Sequence, residues 1–329
     1  MYGRRAFGPG RALLGPTTNA GRAPTVFPMN RPDYWLTKFS KLRVDRARGD
    51  PAPHKPLLLL VLCDLAEQGA LPHGAIPLSP ELAFRFYTYW KIVAGRRTQR
   101  PDVRLPFYFL SGDGIWSVTD ERGEPSPDKK LTKLARPPSD LIAFLEDPAN
   151  REKARHLLIA KYFRPSEQIA LYELIGLQVP SQQEIEQNAA YKSPEEARLA
   201  GREARFRVRV VSAYNFICAL TAYRLTTITA GSIVDAAHIH EFRDSRNNDP
   251  RNGIALSKNA HWTFDQGLWS ISDDFRVIVA VGQFAEAGPN ADNLLASYHG
   301  RRLHLPEDRA LWPDPIHLAW HRKTRFKAM

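Results

Sequence analysis

The chain has 329 residues, enough for two domains with cores of their own. Its formal net charge of +11 favours a polyanionic partner. The only cysteines, Cys63 and Cys218, exclude a disulfide framework and a four-cysteine structural zinc, and no apolar run reaches the roughly eighteen residues a membrane span needs.

Residues 1–28 hold four Arg and no acid, so the remainder still carries +7. The segment is rich in Gly, Pro and Arg and reads as a disordered basic tail. It has no continuous apolar core of a secretory signal, and a cytoplasmic protein is expected. Met29 opens the first foldable text, which leaves residues 1–28 as an extended gene start or as a basic arm against DNA. Trp35, Leu36, Phe39 and Leu42 recur at helical spacing. Gly49, Pro51 and Pro53 then break the chain before Leu57 to Leu65, apolar almost all round, the expected central helix of a first domain. Ser79-Pro80-Glu81 reads as the start of another helix, with Leu82, Phe86, Tyr89, Trp90 and Val93 on its apolar face.

Arg96, Arg97, Arg100 and Arg104 lead into RLPFYFL, which reads as an aromatic strand, with GDG as the turn into its partner. Short helices between Leu141 and Leu177 close the first domain near residue 178. Residues 179–204 are polar and read as a linker with some helix, a hinge between two domains. Phe206, Val210, Tyr214 and Ile217 mark the helix that enters the second.

In that second domain, a short apolar strand runs to about Ile239, NNDPRNG forms a turn, and a second strand spans Gly253 to Leu256. The following helix carries His261 and Asp265, four apart and so on one face. A strand with His238, a turn with Asn252, a strand and a helix with two metal-ligand residue types make a compact ββα unit that would hold one divalent metal. LWSISDDFRVIVA reads as a supporting hairpin, and the tail with Trp312, Trp320 and HRKTRFKAM as a cover for the core or a phosphate contact.

VDAAHI, DPRNGIAL and AHWTFDQGLWSI, preceded by FICALTAYRL, resemble the HNH nuclease family, the ββα-metal fold, in the subgroup found in restriction endonucleases. The resemblance implies His238 as general base, Asn252 as the residue that holds the loop orienting it, and His261 and Asp265 as metal ligands. The family often places another ligand directly before the base, where this chain has Ala237; Asp235 is the candidate substitute. The chemistry suits these types. Imidazole accepts a water proton near neutrality, and a Lewis acid offsets charge on the phosphoryl and leaving oxygens. A His and carboxylate set suits Mg²⁺ or Mn²⁺, and also Co²⁺ or Ni²⁺. His240 reads as a bystander.

A second resemblance lies upstream. APHKPLLLL, then RLPFYFL and GDGIW, are similar to the sulfur-binding domain of enzymes that restrict phosphorothioate-modified DNA. The resemblance implies backbone contacts from His54 and Lys55 and an apolar sulfur pocket at Pro106 with Leu105 beside it. Leu105 stands where a tyrosine is frequent, and Lys55 where arginine also occurs. A nonbridging sulfur is softer and more weakly hydrated than oxygen, so an apolar cavity penalises the oxygen more. About 3 kcal/mol would give a roughly 100-fold preference. Arg46, Arg96, Arg97, Arg100 and Arg104 are candidates for sequence-independent phosphate attraction.

The expectation is an α+β protein with a disordered tail (1–28), a mainly helical DNA-binding domain with a small β-hairpin (29–178), a linker (179–204) and an HNH domain (205–329). Its function would be cleavage of phosphorothioated double-stranded DNA, as a homodimer or by sequential nicking. The alternatives are an HNH nuclease triggered by another modification such as a methylated base, and a non-catalytic DNA-binding protein with a decayed HNH fold.

Overall fold

The computed structural model describes residues 32–47, 49–96, 101–179 and 194–327. The expected tail and much of the expected linker lie outside them. The fold is α+β, and its first core is helical. Helix α1 (Pro32–Ser40) is pinned by Tyr162, whose hydroxyl accepts from the Leu42 amide at 3.2 Å and donates to the Phe39 carbonyl at 2.8 Å. Helix α2 (His54–Glu67) is the centre of this half, with Leu57 through Cys63 at most 1% exposed. Burial pushes the Cys63 thiol up to about 12, so it behaves as a small apolar side chain. Strand β1 (Ile76–Pro77) leads to α3 (Pro80–Val93), where the Ser79 side chain caps the Leu82 amide and Pro80 fills the first turn. Arg85 of α3 is paired with Asp64 of α2 at 2.7 Å inside the core.

RLPFYFL is not a strand. Helix α4 (Arg104–Phe109) occupies it, with Pro106 as its third residue, where a missing N–H breaks no helical bond. Phe107 and Leu110 are fully buried, and Trp116 Nε1 donates to the Phe107 carbonyl at 3.0 Å. Strands β2 (Ser117–Thr119) and β3 (Leu134–Arg136) join β1 in an antiparallel sheet ordered β1-β3-β2, in place of the expected hairpin. Helices α5 (Ser139–Glu146), α6 (Pro148–Tyr162) and α7 (Pro165–Ile175) complete the layer.

Helix α8 (Pro194–Ala213) runs through the last residues of the expected linker. Its first half, expected as a hinge, lies against α7. A Cβ on Gly201 would come within 2.2 Å of the Ala170 carbonyl oxygen, so the two backbones touch and only glycine fits. Ala204 belongs to the first core, while Phe206, Val210 and Val211 belong to the second. The hairpin β4 (Thr226–Thr227) and β5 (Gly231–Ser232) lies against α3, where the Tyr87 hydroxyl donates to the Ile228 carbonyl at 2.6 Å, and the second core holds the antiparallel pair β6 (Val234–His238) and β7 (Gly253–Ser257), in register from Val234 opposite Ser257 to His238 opposite Gly253. A short helix α9 (Phe242–Ser245) lies in the connecting loop, and α10 (Lys258–Asp265) follows β7. Strands β8 (Trp269–Ile271) and β9 (Val277–Val279) form the expected supporting hairpin.

The tail ends in α11 (Pro315–Thr324), which closes the second core. His321 is 2% exposed, stacks on Phe264 at 3.8 Å, and bonds Ser270 Oγ at 2.8 Å and the Phe264 carbonyl at 3.3 Å. Cys63 and Cys218 are free and buried. Among the described residues no helix is long and apolar enough to cross a membrane.

Gly201→Leu should lower the unfolding free energy by about 2 kcal/mol or more in urea titration, because α7 and α8 must part. An unchanged midpoint would mean the helices are not in backbone contact. His321 supplies a pH dependence of defined sign. Burial lowers its folded pKa from 6.5 to about 4, so between those values the unfolded chain binds the extra proton. Its contribution is full above about pH 6.5, falls as pH drops, and levels off below about 4, with a loss on the order of 3 kcal/mol. The stability difference between wild type and His321→Gln should shrink over that window; a difference independent of pH would contradict a buried neutral imidazole.

Candidate nuclease centre and DNA-facing pocket

The loop between β6 and β7 is closed by one side chain. Asn252 is fully buried, its Oδ1 accepting from the His240 amide at 2.8 Å and its Nδ2 donating to the carbonyls of His240 at 2.9 Å and Asn247 at 3.1 Å. An amide has both a donor and an acceptor, which is why asparagine can bridge two backbone strands of a turn. The closed loop delivers Asn248 to His238, with Asn248 Oδ1 2.8 Å from His238 Nε2. A carboxamide oxygen only accepts, so Nε2 carries the proton and Nδ1 keeps the lone pair. Phe206 stacks on the ring at 3.9 Å and 6°. Burial holds the His238 pKa below its ordinary value against the opposing pull of the Asn248 hydrogen bond, and nearby His261 lowers it further, which keeps the imidazole neutral.

His261 and Asp265 share one face of α10, with Nε2 and Oδ2 3.4 Å apart. Burial pushes the Asp265 carboxyl up, and His261 pulls it back down. The back of the helix is fixed by Trp269, whose Nε1 donates to the Ala260 carbonyl at 3.2 Å and to Thr263 Oγ1 at 3.1 Å. Among the described residues no three His, Cys, Asp or Glu side chains gather closely enough to hold a metal. His261 and Asp265 are nonetheless a donor pair that fits a hard divalent ion, since such ions keep several waters and rely on few protein ligands.

Asp235 does not join them. Its carboxylate is bound by Arg207 Nε at 2.5 Å, and Arg207 Nη1 reaches Thr88 Oγ1 of α3 at 3.1 Å. The expected third ligand is thereby corrected to an anchor between the two cores. His240 stacks on Trp320 at 4.0 Å and has a packing role. Sequence reasoning missed Asn248; its only signal was its place among the polar residues of the turn.

In the first half, residues fifty apart in sequence come together. A pocket of about 300 Å³ is lined by His54 and Lys55 from the start of α2, Leu105, Pro106 and Phe109 from α4, and Arg43, Val44, Asp45 and Ala52 from the connection before α2. His54 packs on Trp90 at 4.6 Å. Two expected DNA-backbone contacts have partners within the protein. Lys55 Nζ lies 2.5 Å from Asp113 Oδ2 and 2.8 Å from the Arg43 carbonyl, turned inward. Arg104 is paired in bidentate fashion with Asp102 at 2.8 and 3.0 Å and does not line the pocket. Arg46 is exposed on the loop and also does not line it. Arg97, Arg100 and the side chain of Arg96 lie outside the described residues.

Residues 218–272 match the HNH endonuclease family, and residues 94–180 match the family described as ScoMcrA-like, DNA sulfur-binding domain. The first match contains His238, Asn252, His261 and Asp265; the second contains Leu105 and Pro106 but begins after His54 and Lys55. No curated protein matches the chain. Among solved structures, one titled modification dependent TagI restriction endonuclease is 19% identical with a TM-score of 0.28, over 36% of this chain and 37% of that one. Another, titled sulfur binding domain of SprMcrA complexed with phosphorothioated DNA, is 19% identical with a TM-score of 0.35, over 45% of this chain and 95% of that one. The chain thus spans little more than a third of the TagI enzyme's length. It carries a ScoMcrA-like DNA sulfur-binding domain over residues 94–180, followed by an HNH endonuclease domain over residues 218–272, whose family chemistry uses a divalent metal.

Proposed function

We propose that the chain is a modification-dependent DNA endonuclease that reads a phosphorothioate linkage with its N-terminal half and hydrolyses a nearby phosphodiester with its HNH domain. The observation that carries the reading is the single pocket lined by His54, Leu105 and Pro106, upstream of an HNH motif in one chain. The pocket wall from α4 is apolar, and desolvation there disfavours a phosphate oxygen relative to sulfur.

In the nuclease half, His238 Nδ1 is the atom that takes the proton of the attacking water, because Asn248 holds the other nitrogen as a donor. Asn252 keeps the loop in the shape that allows this, as a positioning residue. His261 and Asp265 would hold the metal, Mg²⁺ or Mn²⁺ foremost and Co²⁺ or Ni²⁺ in vitro. When bound, the ion supplies Lewis-acid stabilisation of charge on the phosphoryl group. One such centre per chain cuts one strand, so double-strand cleavage calls for a homodimer or two successive nicks.

Two duplexes of identical sequence, one phosphorothioated, test the proposal in the presence of Mn²⁺ or Mg²⁺. Cleavage of the modified duplex alone is expected. Equal cleavage would leave the nuclease and remove the sulfur trigger, pointing to a different modification or none; binding without cleavage would mark the HNH fold as decayed. His238→Ala should reduce cleavage by 100-fold or more while DNA binding persists, and Asn248→Ala should reduce kcat by roughly tenfold with KM little changed. Parallel loss of cleavage and binding in His238→Ala would make His238 structural. Pro106→Asp should abolish the preference for modified DNA, and an unaltered preference would place the sulfur site elsewhere.

A further inference from the structure

Asp113 lies in the turn after α4 with its side chain only 4% exposed, at the centre of a charge cluster in which the family likeness gives a role to Lys55 and none to Asp113 or Arg43. Its Oδ2 accepts from Lys55 Nζ at 2.5 Å. Its Oδ1 accepts from the Arg43 backbone amide at 3.0 Å and from Arg43 Nε at 3.3 Å. Lys38 Nζ donates to the Asp113 carbonyl at 3.2 Å. The two cations held by the carboxylate differ sharply in access: the Lys55 side chain is 14% exposed and that of Arg43 is 73% exposed.

The difference decides which of them can meet a nucleic acid. Swinging the Lys55 ammonium out to a phosphate would strip a buried carboxylate of its counter-ion, a costly loss. Arg43 commits only Nε to Asp113, and among the described residues no acceptor meets its two terminal nitrogens. A guanidinium fixed at Nε presents those nitrogens as a fork matched to phosphate oxygens. Gly112 leaves space for it, since a Cβ there would stand 3.3 Å from Arg43 Nη2. Arg43 also lines both the proposed sulfur pocket and the adjoining cleft of about 340 Å³ beside Lys38 and Lys41.

We propose that Arg43 is the phosphate-binding cation at the mouth of the sulfur pocket, held in position by Asp113, and that Lys55 is an internal counter-ion and not a DNA contact. The assignment rests on the sulfur-pocket reading for its location, but its signature is separate. A phosphate contact contributes equally to modified and unmodified DNA and adds about one unit to the salt dependence of binding.

The test is equilibrium binding of the full chain, without divalent metal, to a phosphorothioated duplex and its unmodified twin across a range of salt. Arg43→Ala should weaken both duplexes by the same factor, about tenfold near 0.1 M salt, with a slope shallower by about one and the modified-to-unmodified ratio preserved. Lys55→Met should keep the wild-type slope, which a reduced folded fraction does not alter. A wild-type slope in Arg43→Ala, or a shallower one in Lys55→Met, overturns the assignment. Wild-type protein that binds both duplexes equally removes the sulfur reading, while the slope of Arg43→Ala still decides the phosphate contact; binding to neither duplex overturns both.

Discussion

The contact between helix α8 and its two neighbours governs how the rest of the molecule is arranged. At one end, Gly201 lets α8 lie on the Ala170 carbonyl of α7. At the other, Gly253 of β7 accepts Phe206 and Val210, where a Cβ would come within 2.4 Å of Val210 Cγ2. Between these points Arg207 spans from Thr88 of α3 to Asp235 of β6, and its guanidinium lies 4.7 Å over the Phe84 ring. Phe84 itself belongs to α3 but packs in the second core. The same helix supplies Phe206, whose ring stacks on His238. One element therefore ties the half with the pocket to the strand that carries the proposed base.

The two halves use burial for opposite ends. In the nuclease centre, partial burial of His238 against Phe206 keeps an imidazole neutral, and the asparagines of the loop fix which nitrogen holds the proton. In the pocket, burial of Asp113 under Lys55 keeps a carboxylate in place and leaves an exposed guanidinium beside an apolar wall. Low-dielectric surroundings strengthen each hydrogen bond that is made and penalise each that is lost, so both devices depend on complete partner sets.

The ββα unit was legible in the sequence because its signals are local. An i, i+4 pair, an Asn/Asp/Pro/Gly turn and two short apolar strands each act within a few residues. The α2 helix was legible for the same reason, its apolar run having no polar face. RLPFYFL misled because aromatic residues favour strands in isolation, whereas here a first-turn proline and the Trp116 bond to the Phe107 carbonyl favour a helix. The first half of α8 read as a linker because its contact with α7 is made by Gly201 and Ala197, which carry little hydrophobic signal. The resemblances suggest Asp235 as a ligand and Lys55 as a DNA contact, and residue type suggests Arg104 as a phosphate contact, but partners hold the first two across 28 and 58 residues, and Asp102 holds the third. Ion pairs over such spans are set by tertiary packing and leave no periodic trace.

The most direct measure of this account is the position of the cuts. A duplex with a single phosphorothioate linkage, cleaved under single-turnover conditions and mapped at nucleotide resolution, reports the distance between the reading pocket and the His238 centre. If α8 joins the two halves as described, cuts should cluster at one spacing from the modified linkage, and that spacing should persist when the surrounding sequence is changed. Cuts spread over a broad range of distances would contradict a fixed connection and restore a hinge between the domains.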